Sequence, residues 1–212
     1  MNNKILNDKK DSQKTNKIIG IDLDDTITDI QSEMQYYAAI FDKENNGNGI
    51  VDKNKYLVGE MYNWNNDLKD KFFLTYRKKV ISDAKVRSDV KSIFHKWQKL
   101  GYKIIIITAR NSKYYDNPYM DTYDWLIKHE VPFDKLCVET IKKKDICKKL
   151  GVKYFIDDMP DNCMQVNELP NVKVFIMDNG NNVCKDKSII RVRNFKEVDN
   201  EIEKIENIFK NY

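Results

Sequence analysis

Short runs of apolar residues alternate along this chain with longer segments in which apolar residues recur every three or four positions. The runs cover residues 17–22, 103–107, 136–138, 153–157, 172–177 and 189–192. Unbroken apolar runs of this length are typical of strands that are buried on both faces of a parallel sheet. Since helical segments separate the runs, the sequence predicts an α/β fold with a doubly wound, mainly parallel Rossmann-like sheet.

The helical segments leave one interval that a single crossover does not explain. Helices are predicted over residues 30–41, 66–80, 86–100, 120–129, 142–150, 159–169 and 195–209. The interval between the first strand and the isoleucine run at 103–107 far exceeds the roughly twelve residues that a crossover needs. We therefore predict a small helical cap, residues 28–85, inserted into a core formed by residues 17–27 and 86–212. The polar residues 1–16 are predicted to be a disordered or frayed tail.

The composition indicates a globular protein with a substantial core. Hydrophobic residues make up 41% of the 212 residues and charged residues 33%, and the net charge is +4. This small positive charge argues against a nucleic-acid coat protein, although it permits a local basic pocket for an anionic small molecule. No apolar stretch reaches the length of a membrane span, and residues 1–16 lack the apolar run of a secretory signal. We therefore expect a soluble, cytoplasmic protein.

Cysteine and histidine offer little chemistry in this chain. The four cysteines are Cys137, Cys147, Cys163 and Cys184. They contain no C-x-x-C pair, so reduced thiols are expected rather than a zinc site or a disulfide framework. The two histidines leave serine–histidine hydrolase chemistry little to work with.

Polar side chains end three of the predicted strands. They are Asp22 and Asp24 after the first strand, Thr108 and Arg110 after the isoleucine run, and Asp157 and Asp158 at the end of strand 153–157. Open α/β sheets bind their ligands at the carboxyl ends of the strands. Close carboxylates repel one another unless a cation lies among them, and Mg²⁺ prefers oxygen ligands such as carboxylate and phosphate. The set predicts a magnesium-phosphate site in which Thr108 donates a hydrogen bond to a phosphoryl oxygen.

A cation for the phosphate is available at the start of the helix predicted over residues 142–150. Three consecutive lysines lie there, and a helix N-terminus itself favours an anion. Because consecutive helical residues point in different directions, we take Lys143 as the phosphate ligand, with Lys142 and Lys144 as alternatives. Arg110 fits either phosphate or substrate binding or a salt bridge at the strand end.

These residues and their order resemble the four motifs of the haloacid dehalogenase-like (HAD) phosphohydrolases. The motifs are Asp22-Leu23-Asp24-Asp25-Thr26, the isoleucine run ending in Thr108, Lys143, and Asp157-Asp158. Within the superfamily the chain is most similar to the 5'(3')-deoxyribonucleotidase-like branch. This similarity rests on the short helical insertion, on Thr108-Ala109-Arg110 and on residues 156–162. Asp25 departs from the family pattern, in which glycine is commoner.

The resemblance implies a different role for each acid. Asp22 is expected to attack phosphorus and form an aspartyl-phosphate, and Asp24 to protonate the leaving oxygen and then deprotonate water. A Mg²⁺ ion is expected to bind the Asp22 side chain, the Asp24 backbone carbonyl and Asp157. Asp158 is expected to orient a metal-bound water.

The resemblance also implies the phosphate contacts, the reaction and the substrate class. Thr108, Lys143 and Arg110 are expected to contact the phosphate oxygens. The expected activity is a Mg²⁺-dependent phosphomonoesterase acting on a nucleoside monophosphate. The alternatives are a HAD phosphatase for a sugar phosphate or other small metabolite, and a catalytically silent HAD-like domain for binding or regulation. Nucleic acid and membranes are not expected as partners, whereas exposed aromatic residues in the cap allow a homodimer.

Aromatic residues of the predicted cap have two interpretations. Tyr62, Trp64 and Phe73 can stack on a nucleobase or can form the cap's own small core. Because burial is the commoner reason for a large aromatic side chain, we favour the core.

Overall fold

The computed structural model describes residues 17–210, with the side chains of residues 17–207. The predicted tail, residues 1–16, lies outside the described residues. The strands are β1 Ile18–Ile21, β2 Thr28–Asp29, β3 Lys85–Val86, β4 Lys103–Ile107, β5 Lys135–Cys137, β6 Tyr154–Asp157, β7 Lys173–Met177 and β8 Ile190–Val192. The helices are α1 Gln31–Glu44, α2 Val58–Met61, α3 Asn66–Asp83, α4 Val90–Lys99, α5 Pro118–Lys128, α6 Lys143–Leu150, α7 Pro160–Asn167 and α8 Phe195–Lys210.

Six of the strands form one parallel sheet in the order β5-β4-β1-β6-β7-β8. The predicted α/β class and parallel sheet are confirmed. The first strand lies in the middle of the sheet, because β1 pairs with β4 on one side and with β6 on the other. The residues that follow these three strands therefore meet at the same edge of the sheet.

Helices cover both faces of this sheet. On one face, Phe94 and Trp97 of α4 pack against Phe195 of α8, whereas α6 and α7 bury Cys147 and Cys163 against the other face. Both cysteines are free thiols, as expected. On this second face β1 has no room for a side chain at Gly20, because a Cβ there would lie 2.9 Å from Cδ1 of Ile107.

The segment between β1 and β4 contains α1, α2, α3 and a short antiparallel pair, β2 and β3. The prediction of a single helix over residues 86–100 is wrong at its start, because Lys85 and Val86 pair with β2 and α4 begins at Val90. The sequence analysis also missed α2, which has only four residues. We keep the word cap for residues 28–85, whose standing as a separate domain remains a prediction.

Two of the three cap aromatics belong to the hydrophobic core. Tyr62 and Trp64 are buried and stack on each other, and Trp64 also packs against Phe41 and Phe72. The core interpretation is confirmed for these two residues. Phe73 is only half-buried and lies beside Phe72 at the edge of the cluster. No helix within the described part of the chain is long and apolar enough to cross a membrane.

Candidate active site

A cluster of charged and polar side chains lies where β1, β4 and β6 end. Asp22 directly follows β1, and its backbone N–H donates to the carbonyl of Ile156 at 2.9 Å, which holds the two strand ends level. A cavity of about 440 Å³ opens at this edge of the sheet. We call the core residues at its base the floor: Asp22, Asp24, Thr108, Arg110 and Lys143. The structure therefore brings together the predicted strand-end residues.

Three buried carboxylates, two of them from the end of β6, lie around the lysine of the floor. Asp22, Asp157 and Asp158 each place an oxygen within 4.8 Å of the others. The Lys143 ammonium donates to Asp22 Oδ1 and, at 2.7 Å, to Asp157 Oδ2. Burial raises the pKa of Asp22 to about 7. Lys143 lowers this pKa, but the charge of Asp157 partly offsets that lowering. Burial lowers the pKa of Lys143, but Asp157 and Asp22 outweigh it and hold that pKa above its ordinary value.

The donor set fits a hard divalent cation. The side chain of Asp157 is fixed by the Met159 N–H at 2.8 Å and by the Asn162 amide at 3.2 and 3.1 Å. The Asp24 carbonyl oxygen accepts no hydrogen bond within residues 17–210. Clustered carboxylates together with an unused carbonyl oxygen are ligands that Mg²⁺ accepts. The residues present therefore fit the ion that the sequence implies.

Arg110 forms an ion pair with Asp24 in this structure. Its Nε and Nη2 donate to the two carboxylate oxygens of Asp24 at 2.8 and 2.5 Å. Burial lowers the pKa of Arg110, but the Asp24 charge outweighs it and holds that pKa above its ordinary value. Of the two interpretations of Arg110, the structure shows the salt bridge. Its partner is the residue expected to act as acid and base, so Arg110 fixes the orientation of the Asp24 carboxyl group.

Thr108 and Lys143, the two expected phosphate ligands, both line the cavity. The Thr108 hydroxyl accepts the Arg110 N–H at 3.3 Å, which leaves its own proton free to donate into the cavity. Only the middle one of the three lysines points into the site. Lys142 is exposed, and Lys144 pairs with Glu168 on the surface.

Asp25, for which the sequence analysis found no role, connects the cap to the core. Its backbone has φ +64°, a conformation that explains why glycine suits this position. Its carboxylate accepts hydrogen bonds from the Gln31 amide at 2.6 Å and from the Tyr56 hydroxyl at 2.5 Å. The same hydroxyl lies 2.6 Å from Asp158 Oδ2. Tyr56 therefore joins the loop before α2 to two acids of the core.

The two short contacts of Tyr56 need more protons than one hydroxyl supplies. A phenol has one O–H donor, so the second contact needs a proton on one of the carboxyl groups. Burial raises the pKa of Asp25 and also that of Asp158, where the charges of Asp157 and Asp22 add to the rise. Burial next to these two acids also raises the pKa of Tyr56, which keeps the phenol protonated.

One face of α3 lines the opposite side of the cavity. Lys69, Phe73 and Arg77 are four residues apart, so they lie on the same face of the helix. We call these three residues the cap wall. Within the described residues the Lys69 ammonium has no hydrogen-bond or ion-pair partner, and Glu60 beside it in the lining is exposed and unpaired. Tyr114 comes from the loop after β4 and packs against Phe73, with ring centroids 5.6 Å apart.

The fold, together with the family that the sequence matches, is that of a HAD-like phosphoric monoester hydrolase. The sequence model of the family described as "5' nucleotidase, deoxy (Pyrimidine), cytosolic type C protein" matches residues 16–207. The chain belongs to this nucleotidase family.

Relatives agree with this assignment. A nucleotidase of Clostridium acetobutylicum is 29% identical over 184 residues, which are 85% of this chain and 90% of the relative. The fold is similar to the crystal structure of a predicted phosphatase from the same organism, with a TM-score of 0.63 and 14% identity over 89% of this chain and 98% of that one. A HAD-like hydrolase from Streptococcus pneumoniae also gives a TM-score of 0.63, with 13% identity over 88% of this chain and 98% of that one.

Sequence reasoning missed several residues of the site. Asn162 had a usable signal, because it lies five residues after Asp157 and follows the helix-starting Pro160, so the first turn of α7 returns to the strand end. Tyr56 lies in an irregular loop, and no periodicity marks it. Arg77 has the spacing of a helical face, but the spacing alone does not say which face meets the cavity.

Proposed function

We propose that this protein is a Mg²⁺-dependent 5'-nucleotidase that acts through an aspartyl-phosphate on Asp22. The observation that carries the proposal is the buried Asp22 carboxylate, which shares the floor with Thr108 and Lys143 and lies in a cluster of acids that fits Mg²⁺. A carboxylate can act as nucleophile towards phosphorus when neighbouring cations offset its repulsion from the phosphate.

Two carboxylates perform the covalent steps. An Asp22 side-chain oxygen attacks phosphorus, so the O–P bond to Asp22 forms while the bond to the leaving oxygen breaks. Asp24 gives its proton to that oxygen and afterwards removes one from the water that attacks the phosphorus of the intermediate. The attack by water releases inorganic phosphate and restores the Asp22 carboxylate. In the free protein the bidentate contact with Arg110 holds the ionised Asp24 carboxylate, the form that accepts a proton from water.

The remaining floor residues stabilise charge on the phosphoryl group. Thr108 donates its hydroxyl proton to one phosphate oxygen, and Lys143 contacts another from its place between Asp22 and Asp157. Arg110 borders the phosphate from the Asp24 side. Asp22, Asp157 and the Asp24 carbonyl would hold Mg²⁺, which would supply positive charge that offsets the repulsion between carboxylate and phosphate. Asp158, in the same group of acids, would orient a water at this site.

A nucleoside monophosphate is the proposed substrate. The cavity of about 440 Å³ has the size of a small-molecule site, and aromatic side chains such as Phe73 and Tyr114 line it. The family and the Clostridium acetobutylicum relative are both nucleotidases, which supports a nucleotide, and the cytosolic type of the family supports the expected cytoplasmic location. The homodimer stays a prediction.

A substrate panel tests the proposal. Purified protein with Mg²⁺ is expected to release phosphate from nucleoside monophosphates faster than from sugar phosphates, and EDTA is expected to stop the release. Asp22→Asn is expected to lower kcat at least about 10⁴-fold, as loss of a nucleophile does elsewhere. Asp161→Asn is the matched control, because Asp161 is exposed near the same motif. Undiminished activity of Asp22→Asn would overturn the nucleophile, and faster turnover of sugar phosphates would overturn the substrate.

A further inference from the structure

The loop that follows β7 reaches the ends of both acidic strands. Asn179 lies two residues after the end of β7, and Asn182 in the same loop is 1% exposed. The side-chain amide of Asn179 donates to the Asp25 carbonyl at 2.8 Å, and that of Asn182 donates to the Asp158 carbonyl at 2.7 Å. The loop therefore holds the backbone directly after each acidic strand end, next to the expected magnesium ligands.

Asn179 shares the Asp25 carbonyl with an arginine. Arg87, between β3 and α4, donates from Nη2 to the Asp25 carbonyl and from Nε to the Thr26 carbonyl, both at 3.0 Å. The same Nη2 donates to Oδ1 of Asn179 at 2.7 Å. The backbone N–H of Asn179 donates to Oδ1 of Asn182 at 3.1 Å. These contacts fix the Asn179 amide, because a flipped amide would face Arg87 with a donor and the carbonyl with an acceptor.

Asp25 has a backbone conformation that needs support from its neighbours. Its φ is +64°, in the left-handed region that is unfavourable for a residue with a side chain. Its N–H donates to Oγ1 of Thr28 at 3.0 Å, and its carbonyl accepts the bonds from Asn179 and Arg87. The peptide groups on both sides of Asp25 are thus held in place.

The direction of the Asp24 carbonyl depends on this turn. That carbonyl belongs to the same peptide group as the Asp25 N–H, and the two point in opposite directions because the peptide is trans. With the N–H bonded to Thr28, the carbonyl oxygen points away from Thr28 and accepts no hydrogen bond within residues 17–210. A return of Asp25 to an ordinary negative φ would rotate this peptide group and change the direction of the oxygen.

We propose that Asn179 is a positioning residue that holds the turn at Asp25 and thereby keeps the Asp24 carbonyl directed to the magnesium site. The inference rests on the proposed function and adds to it a residue from β7, a strand that carries none of the four motifs. Asn179 acts through Asp24 and contacts neither substrate nor ion. Its loss is therefore expected to weaken Mg²⁺ binding while every ligand side chain stays in place.

Calorimetry of Mg²⁺ binding without substrate tests this role. Asn179→Leu keeps the size of the side chain but removes its hydrogen bonds, and we expect Mg²⁺ to bind about 10-fold to 100-fold more weakly, as is usual when support for a metal ligand is lost. Asn179→Ala, which places no apolar group beside Arg87, should change the affinity in the same direction. Asn181→Leu is the matched control, since its amide in the same loop donates to the carbonyls of Lys53 and Lys55 at 2.9 and 3.5 Å. It should bind Mg²⁺ as the wild type does.

Tyr56→Phe isolates the other contact of the amide. Asn179 also donates to the Tyr56 hydroxyl at 3.1 Å, and Asn179→Leu removes this bond together with the bond to Asp25. Tyr56→Phe removes the contact with Tyr56 but leaves the bond to Asp25. We expect a smaller loss of Mg²⁺ affinity for Tyr56→Phe, whereas an equal loss in the two variants would overturn the role assigned to the bond with Asp25.

Turnover gives a second readout and separates this inference from the nucleotidase proposal. With a nucleoside monophosphate, Asn179→Leu is expected to need about 10-fold to 100-fold more Mg²⁺ for half of its maximal rate, and to approach the wild-type kcat once Mg²⁺ saturates. Unchanged Mg²⁺ affinity in Asn179→Leu, or an equal loss in Asn181→Leu, would overturn the positioning role. If the wild type bound Mg²⁺ and Asn179→Leu bound it more weakly, but neither released phosphate, the positioning role would be supported and the nucleotidase proposal would be wrong.

Discussion

The floor and the cap wall face each other across one cavity, and they differ in whether their cations are paired. On the floor, Lys143 pairs with two buried acids and Arg110 pairs with Asp24 through two hydrogen bonds. On the cap wall, Lys69 and Arg77 have no ion-pair partner among the described side chains. The cations of the floor are therefore paired without a ligand, and those of the wall are not.

This difference separates reaction from recognition. Buried charges on the floor must be paired in the free protein, because an unpaired buried charge would destabilise the fold. In the proposed reaction they contact the phosphoryl group, which every substrate of such an enzyme shares. We infer that the wall contacts the part of the substrate that varies, because its unpaired cations remain available for that part. Changes on the floor should therefore cost stability, whereas changes on the wall should alter the choice of substrate.

The largest effect is expected for Lys143→Met on the floor. This variant leaves the buried carboxylates of Asp22 and Asp157 without their cation, and removing one member of a buried ion pair typically costs about 3–5 kcal/mol. Urea unfolding without metal measures the loss. Added Mg²⁺ is expected to stabilise the variant more than the wild type, because the ion replaces the missing charge. Lys144→Met, at a surface pair, is the control, and a variant as stable as the wild type would contradict the pairing.

The next largest effect is expected for Tyr56→Phe, because it removes a contact between the core and the cap. The substitution removes a hydroxyl that bonds Asp25 and Asp158, and hydrogen bonds to charged groups contribute about 1.5–3 kcal/mol. The free energy of unfolding in urea should fall by an amount in that range. Tyr36→Phe serves as control, since Tyr36 is 63% exposed. If combining Tyr56→Phe with Asp25→Asn gave strictly additive losses, the two side chains would not be coupled as the structure indicates.

The floor and the cap wall also differ in how much of each could be predicted from the sequence. Most of the floor was predictable because Asp22, Asp24, Thr108 and Arg110 follow strands, and apolar runs such as the isoleucines at 103–107 mark where those strands end. Parallel neighbours then bring Asp22, Thr108 and Asp157 together without any further information. Lys143 was selected over its neighbours only by its direction on a helix. The structure places its ammonium beside Asp22 and Asp157, and its contact with phosphate stays a prediction.

The cap wall and the contacts of the cap were not predictable in this way. Tyr56 reaches Asp25 and Asp158 from a loop, over sequence separations of 31 and 102 residues, which no local pattern encodes. The strand pair β2–β3 has two residues on each side, too few for an alternating pattern. Arg77 lies on a helix whose periodicity is visible, but its missing partner appears only once every neighbour is in place.

Arg110→Lys tests the orientation of Asp24 with a smaller change. Lysine keeps the charge but cannot make two parallel hydrogen bonds to one carboxylate. Because the Asp24 side chain is 30% exposed, solvent screens part of the loss, and about 1–2 kcal/mol of stability is expected to disappear in urea unfolding. Arg193→Lys breaks a surface contact in which Nε and Nη2 both donate to Oε1 of Glu197, and this change should cost less. If both substitutions lower the unfolding free energy equally, the burial of Arg110 contributes nothing to stability, and the contrast between floor and wall is weaker.

The smallest effect is expected for Lys69→Met on the cap wall. Met retains most of the aliphatic stem that packs over Gly59, where a Cβ would lie 2.8 Å from the Lys69 side chain. The ammonium that it removes has no partner within the described residues, so the change in unfolding free energy should stay within about 0.5 kcal/mol. Lys143→Met, measured in parallel, replaces the same residue type across the cavity and supplies the contrast. If Lys69→Met lowered the unfolding free energy as much as Lys143→Met, the wall's cations would be paired in solution. The distinction between a floor with paired cations and a wall with unpaired ones would then be wrong.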